Sequence, residues 1–230
     1  MKYAALLLLV MLLGACATSR GFDRGAMKGP TTAAEVTDEE IKKALAIKPQ
    51  LPRKYKLAVY FVPSKSDWRY ARKWRWTGED KDELLKIAGP LVDKGVTSDV
   101  FSLAESVLEG TDRKAIRLAA ARAGADSVLI VDGSADIDRY NNKLGVTYAL
   151  LVTAAFVPGT VADGLFIATA SMWDVRNDYL YLSVEAEGMV SNTAPAAFID
   201  EGKITKDAKV KAIQELQKQL GIRLERMGPR

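Results

Sequence analysis

Lys56-Leu57-Ala58-Val59-Tyr60-Phe61-Val62, closed by Pro63, decides the fold. The run is apolar on both faces of an extended chain, with no period-two alternation. Such a run suits a strand buried on both sides, as in a parallel sheet covered by helices. Ser127 to Val131 (Ser-Val-Leu-Ile-Val) repeats the signature. Between the two lie helical patterns. Glu79 to Lys94 carries Leu84, Ile87, Ala88 and Leu91 on one side, and Gly89-Pro90 kinks or splits it. Asp99 to Leu103 fits a short strand. Thr111-Asp112 caps a helix running to Ala123, which Gly124 stops. Strand, helix, strand, helix, strand is the order of crossover units on a parallel sheet.

Outward from there the character changes. Upstream, Thr37-Asp38-Glu39-Glu40 opens a short helix, with Thr37 as cap and Glu40 three residues on. Downstream, turn signals at Asn141-Asn142, Pro158-Gly159, Asp163-Gly164 and Asn177-Asp178 separate strand-like runs near 144–157, 165–175 and 179–188. The last alternates: Leu180, Leu182, Val184 and Ala186 against Tyr181, Ser183, Glu185 and Glu187. A final helix is expected from Lys206 to Met227, with Ile213, Leu216, Leu220, Leu224 and Met227 as its buried stripe. The predicted fold class is α/β (α+β). One mixed sheet has crossover helices in the first half, and an antiparallel meander with a packing C-terminal helix in the second.

The N-terminus is of another kind. Lys2 precedes an unbroken apolar stretch from Ala4 to Leu13, too short to span a bilayer as a helix and of the layout of a secretory signal. Leu13-Gly14-Ala15-Cys16 resembles the lipobox of bacterial lipoproteins, in which a peptidase cuts before a diacylated cysteine. Cys16 is the single Cys in 230 residues, so no disulfide framework exists. An ordinary signal peptide with a chance Cys is the other reading. Ala17, not Asp, follows Cys16. By resemblance to the sorting rule of Gram-negative lipoproteins, this implies the outer membrane, with the domain facing the periplasm. The expected organisation is a signal over 1–15, a lipidated (palmitate-bearing) Cys16 and flexible tether over 16–36, and one domain over 37–230.

Composition excludes much. The chain holds 33 Lys and Arg against 29 Asp and Glu, and Lys2 leaves with the signal, so nucleic-acid binding is not expected. With no His and one Cys, Ser-His triads, Cys-His dyads, His-ligated zinc and thiol redox chemistry are all out of reach. No P-loop and no GxGxxG after a strand occur, and no cofactor is expected. Ser, Lys, Asp, Glu and Tyr remain as groups that could do chemistry.

Four segments invite a functional reading. Trp68, Arg69, Tyr70, Arg72, Trp74, Arg75 and Trp76 crowd three of the four Trp residues and several cations into one loop. Flat aromatics beside Arg suit anionic headgroups, glycan stacking or a protein partner; alternatively the rings fold back under the Arg stems. Asp132, Ser134, Asp136 and Asp138 share one strand face, either a hard-cation site without EF-hand spacing or a solvated face that discourages edge pairing. Glu185 and Glu187 could be offered as an acid/base pair, but nothing nearby in sequence drives their pKa values apart. Val146 to Ala170 is apolar but carries Pro158, Gly159, Asp163 and Gly164 inside. It fails as a membrane helix and suits a hairpin.

Taken in order, Leu51-Pro52-Arg53 into Leu57–Pro63, Ala119–Asp126 before Val128–Val131, Ala155–Gly159, and Trp173-Asp174-Val175-Arg176 before Tyr179 resemble the rhombotarget, or rhombotail, lipoproteins of Gram-negative bacteria. The resemblance spans roughly residues 50–190 and implies no enzymatic activity. It does not extend to the Gly-Gly motif, hydrophobic segment and basic tail of that family; this sequence ends Met227-Gly228-Pro229-Arg230. The order also resembles, at the level of fold, the curli secretion channel lipoprotein and the lipoprotein activators of penicillin-binding proteins. The expectation is a non-enzymatic, lipid-anchored envelope protein that binds a protein, peptidoglycan or other glycan partner in assembly or secretion. A subunit of an oligomeric secretion pore is the alternative, and a hydrolase using Ser, Lys or carboxylates comes third.

Overall fold

A computed structural model describes residues 18–27, 36–64, 74–145, 147–148 and 155–228. Five strands form one sheet: β1 (Tyr55–Phe61), β2 (Thr97–Ser102), β3 (Ser127–Asn141), β4 (Thr160–Asp174) and β5 (Leu180–Ala194). Their spatial order is β2-β1-β3-β4-β5. β1 is parallel to both β2 and β3, with Leu57 opposite Ser127 and Phe61 opposite Val131. β3, β4 and β5 form the antiparallel meander. This is the mixed sheet that the two halves of the sequence imply.

The helices are α1 (Asp38–Ala46), α2 (Gly78–Leu85), α3 (Ala88–Asp93), α4 (Arg113–Arg122) and α5 (Glu201–Glu225). α1 opens with a full capping box between Thr37 and Glu40. α4 is capped by Asp112, whose carboxylate accepts the Ala115 amide at 2.8 Å. Pro90 has no amide hydrogen, and the Glu79–Lys94 pattern is accordingly split into α2 and α3.

The first crossover runs from β1 out to β2 and the second runs back from β2 past β1 to β3, so right-handed connections place their helices on opposite faces. α2 and α3 lie on the face that α5 covers. There Leu84, Ile87 and Leu91 join Leu57, Val59, Phe166, Met172, Leu216 and Leu220 in the main core. α4 takes the other face, where Ile116 and Ala120 meet Ala58, Tyr60 and Val128. β1 is therefore buried from both sides, as its composition demands.

α5 buries Ile204, Ala208, Ala212, Ile213, Leu216, Leu220 and Leu224. Its approach to the meander is close because the facing positions are small. A Cβ at Gly188 would lie inside van der Waals contact with the Ala208 carbonyl oxygen and 2.5 Å from the Ala212 nitrogen. A Cβ at Gly164 would fall 2.5 Å from the Ile204 side chain.

Three expectations are corrected. α5 starts at Glu201, capped by Asp200, rather than at Lys206. Lys206, Lys209, Lys211 and Lys218 read from sequence as the exposed side of that helix, but Lys209 is only 5% exposed. The described residues of the run 144–157 form short 3-10 turns and bends, not a strand. β3 instead continues ten residues past Val131 and pairs directly with β4, from Ser127–Asp174 to Asn141–Thr160. The alternation of Asp132, Ser134, Asp136 and Asp138 with Gly133, Ala135 and Ile137 is what sustains it, whereas residues 148–157 do not alternate.

Candidate functional site

Two places gather polar chemistry. The first is the face of the meander turned away from α5. β3 presents Asp132, Ser134, Asp136 and Asp138 there. β4 presents Thr169, Ile167, Leu165 and Asp163 opposite them, and β5 presents Glu185, Glu187, Met189 and Ser191. The face is acidic at its margins and apolar along its middle, with Leu165 and Ile167 each 1% exposed.

Within the segment expected as a tether, residues 18–27 lie across this face. The Ser19 hydroxyl and the Gly21 amide both donate to Asp138 Oδ2, the latter at 2.9 Å, and the Arg20 amide reaches Oδ1 at 3.3 Å. The Arg20 guanidinium holds both Asp136 oxygens at 2.7 Å and the Ile137 carbonyl at 3.2 Å. After Gly21, which has a left-handed φ of 69°, one helical turn (Arg24–Met27) places Arg24 on Glu187. That contact is a fork: Nε to Oε1 at 2.6 Å and a terminal nitrogen to Oε2 at 2.9 Å. The segment is a strap. Asp138 and Glu187 are its anchor points.

Burial alone would raise the Asp138 carboxyl. The Ser19 hydroxyl, the Gly21 and Arg20 amides and the Arg20 charge outweigh it, so the group sits below the ordinary carboxylate range. A depressed carboxylate pKa contributes stability that is present above its free value of about 3.9 and is lost as pH falls through the bound value. The strap is therefore expected to stay docked at neutral pH and to loosen only in strong acid. Asp138→Ala removes three of its hydrogen bonds. In that variant at pH 7, trypsin should cut after Arg20 and Arg24 about tenfold faster than in the parent, followed by mass spectrometry, for a loss of ~1.4 kcal/mol. Equal cleavage rates would show that Asp138 does not hold the strap.

The second place is a cleft of about 420 Å³ lined by Trp74, Arg75, Thr77, Thr205, Lys206 and Lys209. Trp74 and Trp76 are half-buried and fold back onto the sheet. Trp74 stands edge-on to Trp76 at 5.0 Å and to Phe166 at 4.9 Å, and Trp76 stands edge-on to Phe61 at 5.5 Å. Trp76 donates its indole N–H to the Val62 carbonyl at 2.9 Å. Gly133 makes the room: a Cβ there would fall 2.7 Å from the Phe166 ring and 3.1 Å from Trp74. Arg75 points outward and is exposed, and its carbonyl accepts the Lys209 ammonium at 2.8 Å. Lys209 is paired with Asp80, and both side chains are 6% exposed. Asp80 Oδ2 also accepts the Thr77 amide at 2.8 Å, closing the capping box of α2.

Of the residues singled out in sequence, the structure brings Trp74, Arg75 and Trp76 together at this cleft. Cys16, Trp68, Arg69, Tyr70 and Arg72 lie outside the described residues. Sequence reading missed Ser19, Arg20, Arg24 and the Asp80–Lys209 pair. The signal for the strap was two arginines four apart, set against a row of aspartates more than a hundred residues away. Among the described residues no group of three or more His, Cys, Asp or Glu is placed to hold a metal ion. Among them also, no helix is long and apolar enough to cross a membrane.

No family model and no curated protein matches this sequence. Solved structures do. The chain is similar to a minor lipoprotein from Acinetobacter baumannii, at 16% identity and a TM-score of 0.40, over 77% of this chain and 94% of that one. It is similar to the PelC dodecamer from Paraburkholderia phytofirmans at 16% identity and a TM-score of 0.33, over 79% and 94%. A third is the lipoprotein GNA1162 from Neisseria meningitidis, at 14% identity and a TM-score of 0.33, over 72% and 99%.

Proposed function

We propose that this chain is a lipid-anchored protein of the bacterial outer membrane, attached through Cys16. Its domain works without catalysis, by binding a protein or glycan partner in envelope assembly or secretion. The observation that carries the reading is the strap. The stretch that begins two residues after Cys16 is built into the domain, so an anchor at Cys16 is an anchor on the fold itself. The resemblance to rhombotarget lipoproteins over residues 50–190 is in keeping with this class. The partner is read by the cleft beside α5, where Trp74 offers an aromatic surface and Arg75 and Lys206 offer two exposed cations.

Two experiments test the proposal. Cells fed labelled palmitate should label the parent and not Cys16→Ala, and the variant should leave the membrane fraction. A photo-crosslinker placed next to the cleft at Thr77 should capture an envelope component. Arg75→Glu with Lys206→Glu should cut that capture about tenfold, equivalent to ~1.4 kcal/mol, while leaving palmitate labelling intact. Undiminished capture by the double variant would remove the cleft from the proposal.

A further inference from the structure

The strap has a direction. Ser19 sits at Asp138, which pairs with Asp163 three residues from the end of the β3–β4 ladder. Arg24 sits at Glu187, which lies level with Ile167 and Ser134, four residues further from that end. Read backwards, the chain therefore heads toward the end of the sheet where β3 turns into β4. From Ser19 to Cys16 is three residues, a reach of at most about 10 Å. From Asp138 to the last ladder residue, Asn141, is the same number of strand residues, about 10 Å. The β3–β4 end of the domain is thus within the reach of Cys16.

That end is apolar. No charged residue occurs from Leu144 through Ala162. Among its described residues, Leu144 is 50% and Phe156 is 77% exposed, and the latter is the second most exposed large hydrophobic residue of the described chain. Lys143, also exposed, stands beside them. A large aromatic left in water is costly on a free surface, whereas one beside an acyl anchor has an apolar medium within reach. The opposite end of the meander, at the turn after Asp174, carries Arg176, Asn177 and Asp178.

We propose that the β3–β4 end is a membrane-contacting surface: Leu144 and Phe156 enter the lipid layer to which Cys16 is attached, with Lys143 at the headgroups. The strap favours this pose by fixing Ser19, three residues from the anchor, near that end. The inference rests on the lipid anchor proposed above. It adds that the domain stands on the membrane by a defined end, rather than floating on a leash.

The test uses the mature full-length protein, reconstituted in vesicles of phosphatidylethanolamine, phosphatidylglycerol and cardiolipin. An acylated Cys16 leaves an introduced cysteine as the one reactive thiol. Leu144→Cys, Phe156→Cys and Lys48→Cys each receive an environment-sensitive fluorophore. The last is the control, because the Lys48 carbonyl accepts a hydrogen bond from Asn177 at the far end of the sheet. The probes at 144 and 156 should emit further to the blue, be quenched by nitroxide-bearing lipid and be shielded from iodide, and the probe at 48 should show the reverse. In the background of Arg20→Glu with Arg24→Glu, the probes at 144 and 156 should lose most of their lipid quenching while Cys16 remains acylated. If the intact mass shows acylation and the probes at 144 and 156 behave as the one at 48, the membrane contact is wrong and the anchor stands. If the mass shows no acylation, the anchor is wrong and the contact goes with it.

Discussion

Gly188→Ala is expected to lower the thermal unfolding midpoint by roughly 6–12 °C, a larger effect than any surface change in this protein. The added methyl group points straight at the backbone of α5, at the Ala208 carbonyl oxygen and the Ala212 nitrogen. A flexible side chain could swing aside, but a helix backbone cannot. Either α5 lifts off β5 or the strand bends. Both break the packing of Ala208, Ala212 and Leu216 against Val184 and Ala186. Overpacking of a tight core costs typically 1–3 kcal/mol, and a backbone clash lies at or above the top of that range, about 3 kcal/mol. At this chain length each kcal/mol moves the midpoint by about 2–4 °C. Gly221→Ala, in the same helix–sheet layer, is the contrast. Its Cβ would meet no atom within 4 Å, so it should be neutral or slightly stabilising. Calorimetry of the two variants reads the difference directly. Equal midpoints for Gly188→Ala and the parent would mean that the helix does not lie this close.

Asp80→Ala should be the most damaging change at the cleft, costing about 3–5 kcal/mol in urea unfolding. It leaves the Lys209 ammonium buried without its counter-charge and strips the Thr77 amide of its capping partner. Lys209→Met should cost less. The Asp80 carboxylate keeps the Thr77 amide, and a methionine of similar length fills the space between α2 and α5. Asp80→Asn with Lys209→Met removes both charges while keeping an acceptor for Thr77. That double variant should therefore unfold at higher urea than Asp80→Ala. A double variant no more stable than Asp80→Ala would show that the charge pair is not what joins these helices.

The buried strands could be read from sequence because their burial is recorded in their own residues. Lys56–Val62 and Ser127–Val131 have the short, unbroken apolar composition that suits two-sided strands, and Thr37 with Glu40 specifies a helix start by chemistry alone. The end of β3 was harder. Its alternation was visible at Asp132 to Asp138, but the apolar run after it competed for the role of next strand, and only pairing with β4 settles which segment wins. Lys209 shows the limit of helix periodicity. It sits beside Ala208, on the flank of the buried stripe, and lies inside only because Asp80 of another helix meets it there. The strap shows the same limit at longer range. Gly, Arg and Ser after Cys16 have the composition of a linker. What orders them is an acidic sheet face assembled from β3 and β5, which no window around residue 20 contains.

That span also orders events in time. Ser19 meets Asp138 across 119 residues, and Arg24 meets Glu187 across 163. A chain made from its N-terminus presents residues 18–27 first and their docking surface last. Throughout that interval Ser19, Arg20 and Arg24 have no surface to dock on. Completion of β5 then supplies Glu187 and closes the strap. The contact that joins the N-terminal segment to the fold is thus among the last that synthesis allows to form, which on the proposal above leaves Cys16 open to processing until then.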